Sequence, residues 1–284
     1  GLYASTITSN GGNVLLRGSS TGADAVIDDA GVVLDGTTID AGTGNVDVFG
    51  TGQRDVAGII ANAGSIASAG GAVLFDGRSE GGDGVRMDGF GIASGGGDIS
   101  ILGYGDGIGV YAEYADLDSG GGNIVVHGEG GTGNGVDMSA LLASGGGDIS
   151  VYGSSTDAAG LVFGDGYYAG MTSSGGDIEL EGHGATGGVA LYAGSYGSSA
   201  IDSGGGDITV TGTASAAGAI GVYSDGVDLI GGAGDVTVDG SAPSGIGILL
   251  ANGAGVSTTT GAIALIGTGA TFGLDIANGA IDTD

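Results

Sequence analysis

Four aspartates, Asp148, Asp177, Asp207 and Asp235, each stand between a Gly and a Val or Ile, at intervals of 29, 30 and 28 residues. Hard carboxylate oxygens in a row suit Ca²⁺. Stacked at the spacing of neighbouring strands, ~4.8 Å, adjacent unit charges repel by ~0.9 kcal/mol in water, and a divalent cation relieves that. The equivalent positions earlier and later in the chain are Asn13, Asn45, Ala72, Asp98, Asn123 and Ala262, so a metal is not demanded at every step. Asp and Asn also follow Gly in turns simply because they tolerate left-handed backbone and bond locally. The expectation is therefore a fold that requires no cofactor and takes Ca²⁺ only as an option.

Four tyrosines offer a second chemistry. Tyr167, Tyr168, Tyr192 and Tyr196 lie on two enlarged connections, Gly160 to Met171 and Gly188 to Ile201, in consecutive repeats. Exposed rings on adjacent loops stack on sugars or on a partner protein; the competing reading is that they fold back as local cover. Catalytic inventory is thin. The chain has no Cys and no Lys, and its two histidines, His127 and His183, sit four and six residues past their repeat anchors, which reads as two solvated turn residues outside any shared column. A glycoside hydrolase needs only two or three carboxylates, but no repeat breaks the pattern to gather them. A non-enzyme is expected, with a carbohydrate-active β-helix enzyme or glycan-binding module as the alternative. Ice or mineral binding through a flat repetitive face is a third reading, for which Thr258-Thr259-Thr260 is one isolated run.

The elements that must position these residues are set by a repeat. With Asp98 as anchor, equivalents occur at Asn13, Asn45, Ala72, Asn123, Asp148, Asp177, Asp207, Asp235 and Ala262, 25 to 32 residues apart. In all ten copies Gly precedes the anchor, Val or Ile follows it, a large apolar residue stands three positions on, and Gly stands five positions on. Alternation of apolar and polar residues between these glycines predicts a strand with one face buried, and the flanking glycines predict tight turns at its ends. A second unit, Gly-apolar-any-apolar or small, follows in most copies, as in Gly109-Val110-Tyr111-Ala112; the copy anchored at Asn13 offers Ala25-Val26-Ile27 instead. A third apolar position lies six residues before every anchor, from Ile7 to Val256. Three short strands per coil and about ten coils of 25 to 32 residues predict an all-β parallel β-helix, a β-solenoid, with residues 1–284 as one continuous array.

Composition agrees. Gly supplies 72 of 284 residues without a three-residue period, which excludes collagen. Apolar residues held in register exclude disorder, and no run of about 18 apolar residues predicts a membrane-spanning helix. Thirty-three acidic residues face four arginines (Arg17, Arg54, Arg78, Arg86), a net charge of −29 that makes nucleic acid a poor partner.

Strands of the Gly-Gly-Asp-Ile-any-Val-any-Gly kind, with Gly-rich turns, no Cys and almost no basic residues, resemble the repeat regions of large bacterial surface proteins, the filamentous haemagglutinin-like and autotransporter-type adhesins. The resemblance covers nearly the whole chain but rests on repeat style. It implies a right-handed β-helix at the bacterial cell surface, extracellular, acting as an adhesive stalk or fibre segment, with a surface glycan as a candidate partner. Neither end shows an atypical capping repeat, which predicts either covalent continuation of the array or end-to-end self-association.

Overall fold

The alternating residues after each anchor form a seven-residue strand, for example Ile99–Gly105, Ile124–Gly130 and Ile149–Ser155. The computed structural model, which describes residues 1–22, 29–165, 169–194 and 199–283, pairs ten such strands in parallel as one sheet. Register follows the repeat: Ile99 lies between Val73 and Ile124, and Ile101 between Phe75 and Val126. The second and third units line two further faces. Val85–Asp88 and Gly91–Ala93 pair with the two halves of Val110–Asp118, a strand that rounds the corner through a bulge between Glu113 and Ala115, where Tyr114 has φ 52°. Val136–Ala143 likewise joins two faces in one strand. The chain is thus a β-solenoid of three strands per turn and about nine turns, with no helix among the described residues.

One hydrophobic column runs through it. Ile99, Ile101, Val110, Ala112 and Leu117 fill a single coil, and their counterparts above and below are equally buried, joined in one cluster from Val14 to Val256. A lone coil leaves these side chains wet on both sides; stacking covers them, at ~1.5–3 kcal/mol for each large aliphatic chain.

The copy anchored at Asn13 keeps the common pattern. Its second-face strand is Ala30–Asp35, carrying Gly31-Val32-Val33-Leu34, and Val32 pairs with Ile59. Ala25-Val26-Ile27, expected in that role, lies outside the described residues.

The glycines also differ from expectation. Left-handed backbone is found two and three residues before the anchor, at Gly95 (φ 62°) and Gly96 (φ 114°), for example. The Gly five positions after the anchor lies inside its strand, and its reason is steric. A Cβ on Gly103 would meet the Gly109 carbonyl oxygen at 2.0 Å, and one on Gly128 or Gly153 would meet that of Gly135 or Gly160 at 2.1 Å. Here the anchor face and the second face approach backbone to backbone and pinch the coil. Beyond the pinch a small alanine cluster, Ala214, Ala219 and Ala242, is sealed apart from the main core.

Polar groups hold the opposite corner. Ser94, Ser119, Ser144, Ser173 and Ser203, each four residues before an anchor, are fully buried. Each hydroxyl is shared between two carbonyls: that of the Gly before its own anchor, and that of its counterpart in the next coil, or of Gly231 in the case of Ser203. Ser144 thus reaches Gly147 O and, at 3.2 Å, Ser173 O, and Ser119 reaches Gly122 O and Ser144 O. These carbonyls point inward at the tight turn, and the hydroxyl column supplies their buried donors.

The two classes of glycine separate by substitution. Gly103→Ala, at the pinch, costs at least about 3 kcal/mol, whereas Gly96→Ala, with nothing within 4 Å of its Cβ, costs only the left-handed conformation, about 1–2 kcal/mol. Urea unfolding of both variants checks the order.

Candidate functional site

The acidic column is a backbone clasp. Asp148 Oδ1 accepts the N–H of Asp177 at 2.9 Å, Asp177 Oδ1 that of Asp207 at 2.8 Å, Asp207 Oδ1 that of Asp235 at 2.8 Å, and Asp235 Oδ1 that of Ala262 at 2.7 Å. Asn45 and Asn123 do the same for Ala72 and Asp148. One acceptor oxygen per coil is all that the clasp needs, which is why Asp and Asn exchange along it. The structure therefore brings the four aspartates together as neighbours in an exposed row. Among the described residues no three His, Asp or Glu side chains converge as a chelating group.

Of the four tyrosines, Tyr167, Tyr168 and Tyr196 lie outside the described residues. Tyr192 ends the second-face strand Gly187–Tyr192 and stands edge-on to Tyr223, with ring centroids 5.6 Å apart. It is half-buried, and desolvation pushes its hydroxyl pKa up, helped by the charges of Asp165, Asp225 and Asp137. Around it the second face carries more ring-carboxylate contacts. Tyr223 donates to Asp225 at 2.9 Å and Tyr111 to Glu113 at 2.7 Å. Desolvation first, then these hydrogen bonds, push both phenols up to about 12. Arg86 sits 5.2 Å over the Tyr111 ring. Asp137, held by Asn134 at 2.9 Å, is raised mainly by burial.

The histidines are not turn residues. His127 and His183 belong to the anchor-face strands Ile124–Gly130 and Ile178–Gly184, and although they occupy different columns, Tyr152 joins them. Ring centroids run Tyr104 to His127 at 5.6 Å, His127 to Tyr152 at 4.6 Å and Tyr152 to His183 at 5.7 Å. Arg78 caps the series 4.7 Å over Tyr104 and is held at 3.0 Å by Asp76. At the other end His183 bridges Glu181 and Thr213, both at 2.6 Å, while His127 meets Glu129 at 3.1 Å. Outward side chains four and six residues past the anchor thus form one zigzag stack of a cation and four rings along the axis. The stack escaped the sequence reading because its members alternate between two columns; recurrence of rings at either outward position in successive copies was the available signal.

Beside this stack, on the wall beyond the pinch, runs a shallow groove. One half, about 500 Å³, is lined by Arg78, Tyr104 and Asp106 among others; the other, about 610 Å³, by His183, Thr213 and Ser241; Glu129, Gly130 and Thr156 belong to both. The lining residues advance one coil at a time from Thr51 to Ser241, seven coil steps or ~34 Å at the spacing of stacked strands.

Fold and surface together define a β-solenoid repeat protein with a clasped acidic row, a ring stack and an axial groove. No family model, curated protein or solved structure matches the chain.

Two outcomes follow from this surface. Asp177→Asn keeps the acceptor and removes repulsion with Asp148 and Asp207, so it stabilises by about 1 kcal/mol at low salt, and the gain fades as salt screens the row; Asp177→Ala removes the same repulsion but loses the clasp, so it is about 1 kcal/mol less stable than Asp177→Asn. Thermal melts across a salt series resolve the pair. For the phenols, folded pKa values above the unfolded value of 10 mean that the folded state holds their protons longer. Their stabilisation is complete below pH 10 and is lost as pH climbs toward about 12. Absorbance titration should show two phenols ionising near 12 that are missing from the titration of the Tyr111→Phe, Tyr223→Phe protein.

Proposed function

We propose that the chain is a structural and adhesive segment of an extracellular bacterial surface protein, a stalk or fibre unit that serves attachment or cohesion and performs no catalysis. The observation that carries this reading is axial uniformity. The apolar columns, the Gly-Gly pinch, the buried serines and the Asx clasp recur coil after coil, so the frame lengthens without redesign and bears load along its axis through parallel backbone ladders. The location at a cell surface is supported by the resemblance in repeat style to filamentous haemagglutinin-like adhesins. The dense negative charge keeps such rods apart laterally.

Each coil offers the next an apolar cross-section, as the strand Phe272–Ala277 illustrates. Leu274 and Ile276 are 40% and 41% exposed, while Ile248 and Leu250, their partners one coil below, are 0% and 1% exposed. A further coil of the same repeat, from the same chain or from a second copy, buries them. Backbone oxygens and hydroxyls satisfy the turns, so the frame is proposed to stand without metal and to take Ca²⁺ only as an accessory on the acidic row.

Beads coated with the 284-residue chain should clump with one another in a concentration-dependent way that EDTA leaves unchanged and that Leu274→Asp, Ile276→Asp protein abolishes. Beads that stay dispersed, that need Ca²⁺ to clump, or that release reducing ends from a polysaccharide would overturn the reading.

A further inference from the structure

We propose that the axial groove beside the ring stack is a binding site for a linear, uncharged glycan lying parallel to the rod. This inference stands apart from the mechanical role, since it concerns a side wall and not the ends.

Shape is the first argument. The groove is open and long, seven coil steps or ~34 Å, and each coil contributes one outward polar position to its lining, whose occupant changes from Arg78 and Tyr104 to Glu129, Ser154 and His183. An extended β-linked glycan advances by close to one coil spacing per sugar, so each ring of such a chain meets the polar side chain of one coil. A compact ligand has no use for so extended a surface.

Chemistry is the second. Hydroxyls recur along the lining, at Thr51, Ser154, Thr156, Thr213 and Ser241, with Tyr104 and His183 among them. Ring faces are already spent, because Arg78 covers Tyr104 and the inner rings stack on each other. Recognition here is by hydrogen bonds to a polyhydroxylated ligand, reinforced along its length. Glu80, Asp106 and Glu129 on the groove, in a chain of net charge −29, repel uronates and sulfated sugars.

Backbone pairing is the third. A peptide that docks by strand addition needs a free row of N–H and C=O groups. Along this wall they are engaged with neighbouring coils: Gly131 N–H bonds Gly105 O at 3.0 Å, Thr156 N–H bonds Gly130 O at 3.3 Å, Ala185 N–H bonds Ala158 O at 2.8 Å, and Ser215 N–H bonds Gly184 O at 3.2 Å. Side chains alone are on offer, which favours the sugar.

The test is titration calorimetry of the folded chain with cellohexaose, xylohexaose and chitohexaose, beside oligogalacturonate and an unstructured decapeptide. At least one neutral hexaose should bind, with an affinity that is nearly independent of salt and that rises with chain length until roughly seven rings fill the groove. Thr156→Trp, placed where both halves meet, should weaken it at least about tenfold. Ser154→Trp, at another groove hydroxyl beside the junction, is the second variant should Thr156→Trp melt early and should weaken binding likewise, and Tyr223→Phe on the second face should bind as the parent does. Equal binding by both Trp variants, preference for oligogalacturonate or the peptide, or no heat with any of the three neutral hexaoses overturns the assignment.

Discussion

Close approach of two backbones at one corner of the coil governs everything else in this fold. At Gly103 and Gly109, and at every equivalent pair, there is no room for a single methyl group between the anchor face and the second face. That contact fixes how sharply the chain turns from one face to the next, and with it the width of the hydrophobic interior. A narrow interior admits one layer from each face, mostly Val, Ile, Leu and Met, with Phe75 and Phe90 facing each other at ring centroids 6.1 Å apart and Phe163 buried in a later coil. The pinch also divides the cross-section. Apolar residues inside it join a column that runs the length of the rod, and residues beyond it form a thin outer lobe whose wall carries the groove. The surface feature with the most distinctive chemistry is therefore a by-product of a steric constraint on glycine.

Along the axis, translation by one coil places every group beside its own counterpart, and this raises a problem for polar groups as much as it solves one for apolar ones. Identical charges stacked at the strand spacing repel, and identical buried carbonyls lack donors. The clasp and the serine column answer both. An anchor carboxylate facing the next coil's N–H gains a charge-assisted hydrogen bond that offsets the repulsion from the carboxylate above it. A serine hydroxyl between two carbonyls gives a buried donor where the backbone has none to spare. Neither device depends on the identity of a neighbouring repeat. Copies with Asn at the anchor, such as Asn123, join the series without a change of geometry, and Ala72 and Ala262 accept nothing but still donate their N–H.

What was legible in the sequence was whatever survives projection onto one dimension. The apolar positions after each anchor and six residues before it were legible because their period is the coil itself, and they gave three faces, parallel pairing and register. Glycines were visible as columns, yet their cause was not: a residue needed for left-handed backbone and one needed for close approach look alike in a string of letters, so Gly103 was read as a turn when it is part of a strand. Ser94, Ser119, Ser144, Ser173 and Ser203 recurred just as regularly, but a polar residue beside Gly-Gly suggests an exposed turn, and only the inward tilt of the coil corner shows it to be core. For the first coil, the apolar run Ala25-Val26-Ile27 outcompeted the true second unit at Gly31 because the connection between them is longer than in later copies.

The outer surface was the least legible part, and for a physical reason. Inside the rod each position is selected by packing against a fixed neighbour, so composition is uniform down a column. Outside, side chains lean across columns to reach partners in adjacent coils, as Tyr104 does to His127 and Tyr152 to His183, so the chemically meaningful row is oblique to the repeat. Both histidines of the chain, two of its tyrosines and one of its four arginines meet in that row. The inner rings, His127 and Tyr152, each lie between two others, and the imidazoles turn their nitrogens to Glu129, Glu181 and Thr213, so aromatic side chains cover the sheet without closing its surface. A wall built in this way offers polar groups at a fixed spacing, one outward position per coil. That spacing suits a partner that is itself an extended polymer with a short repeat.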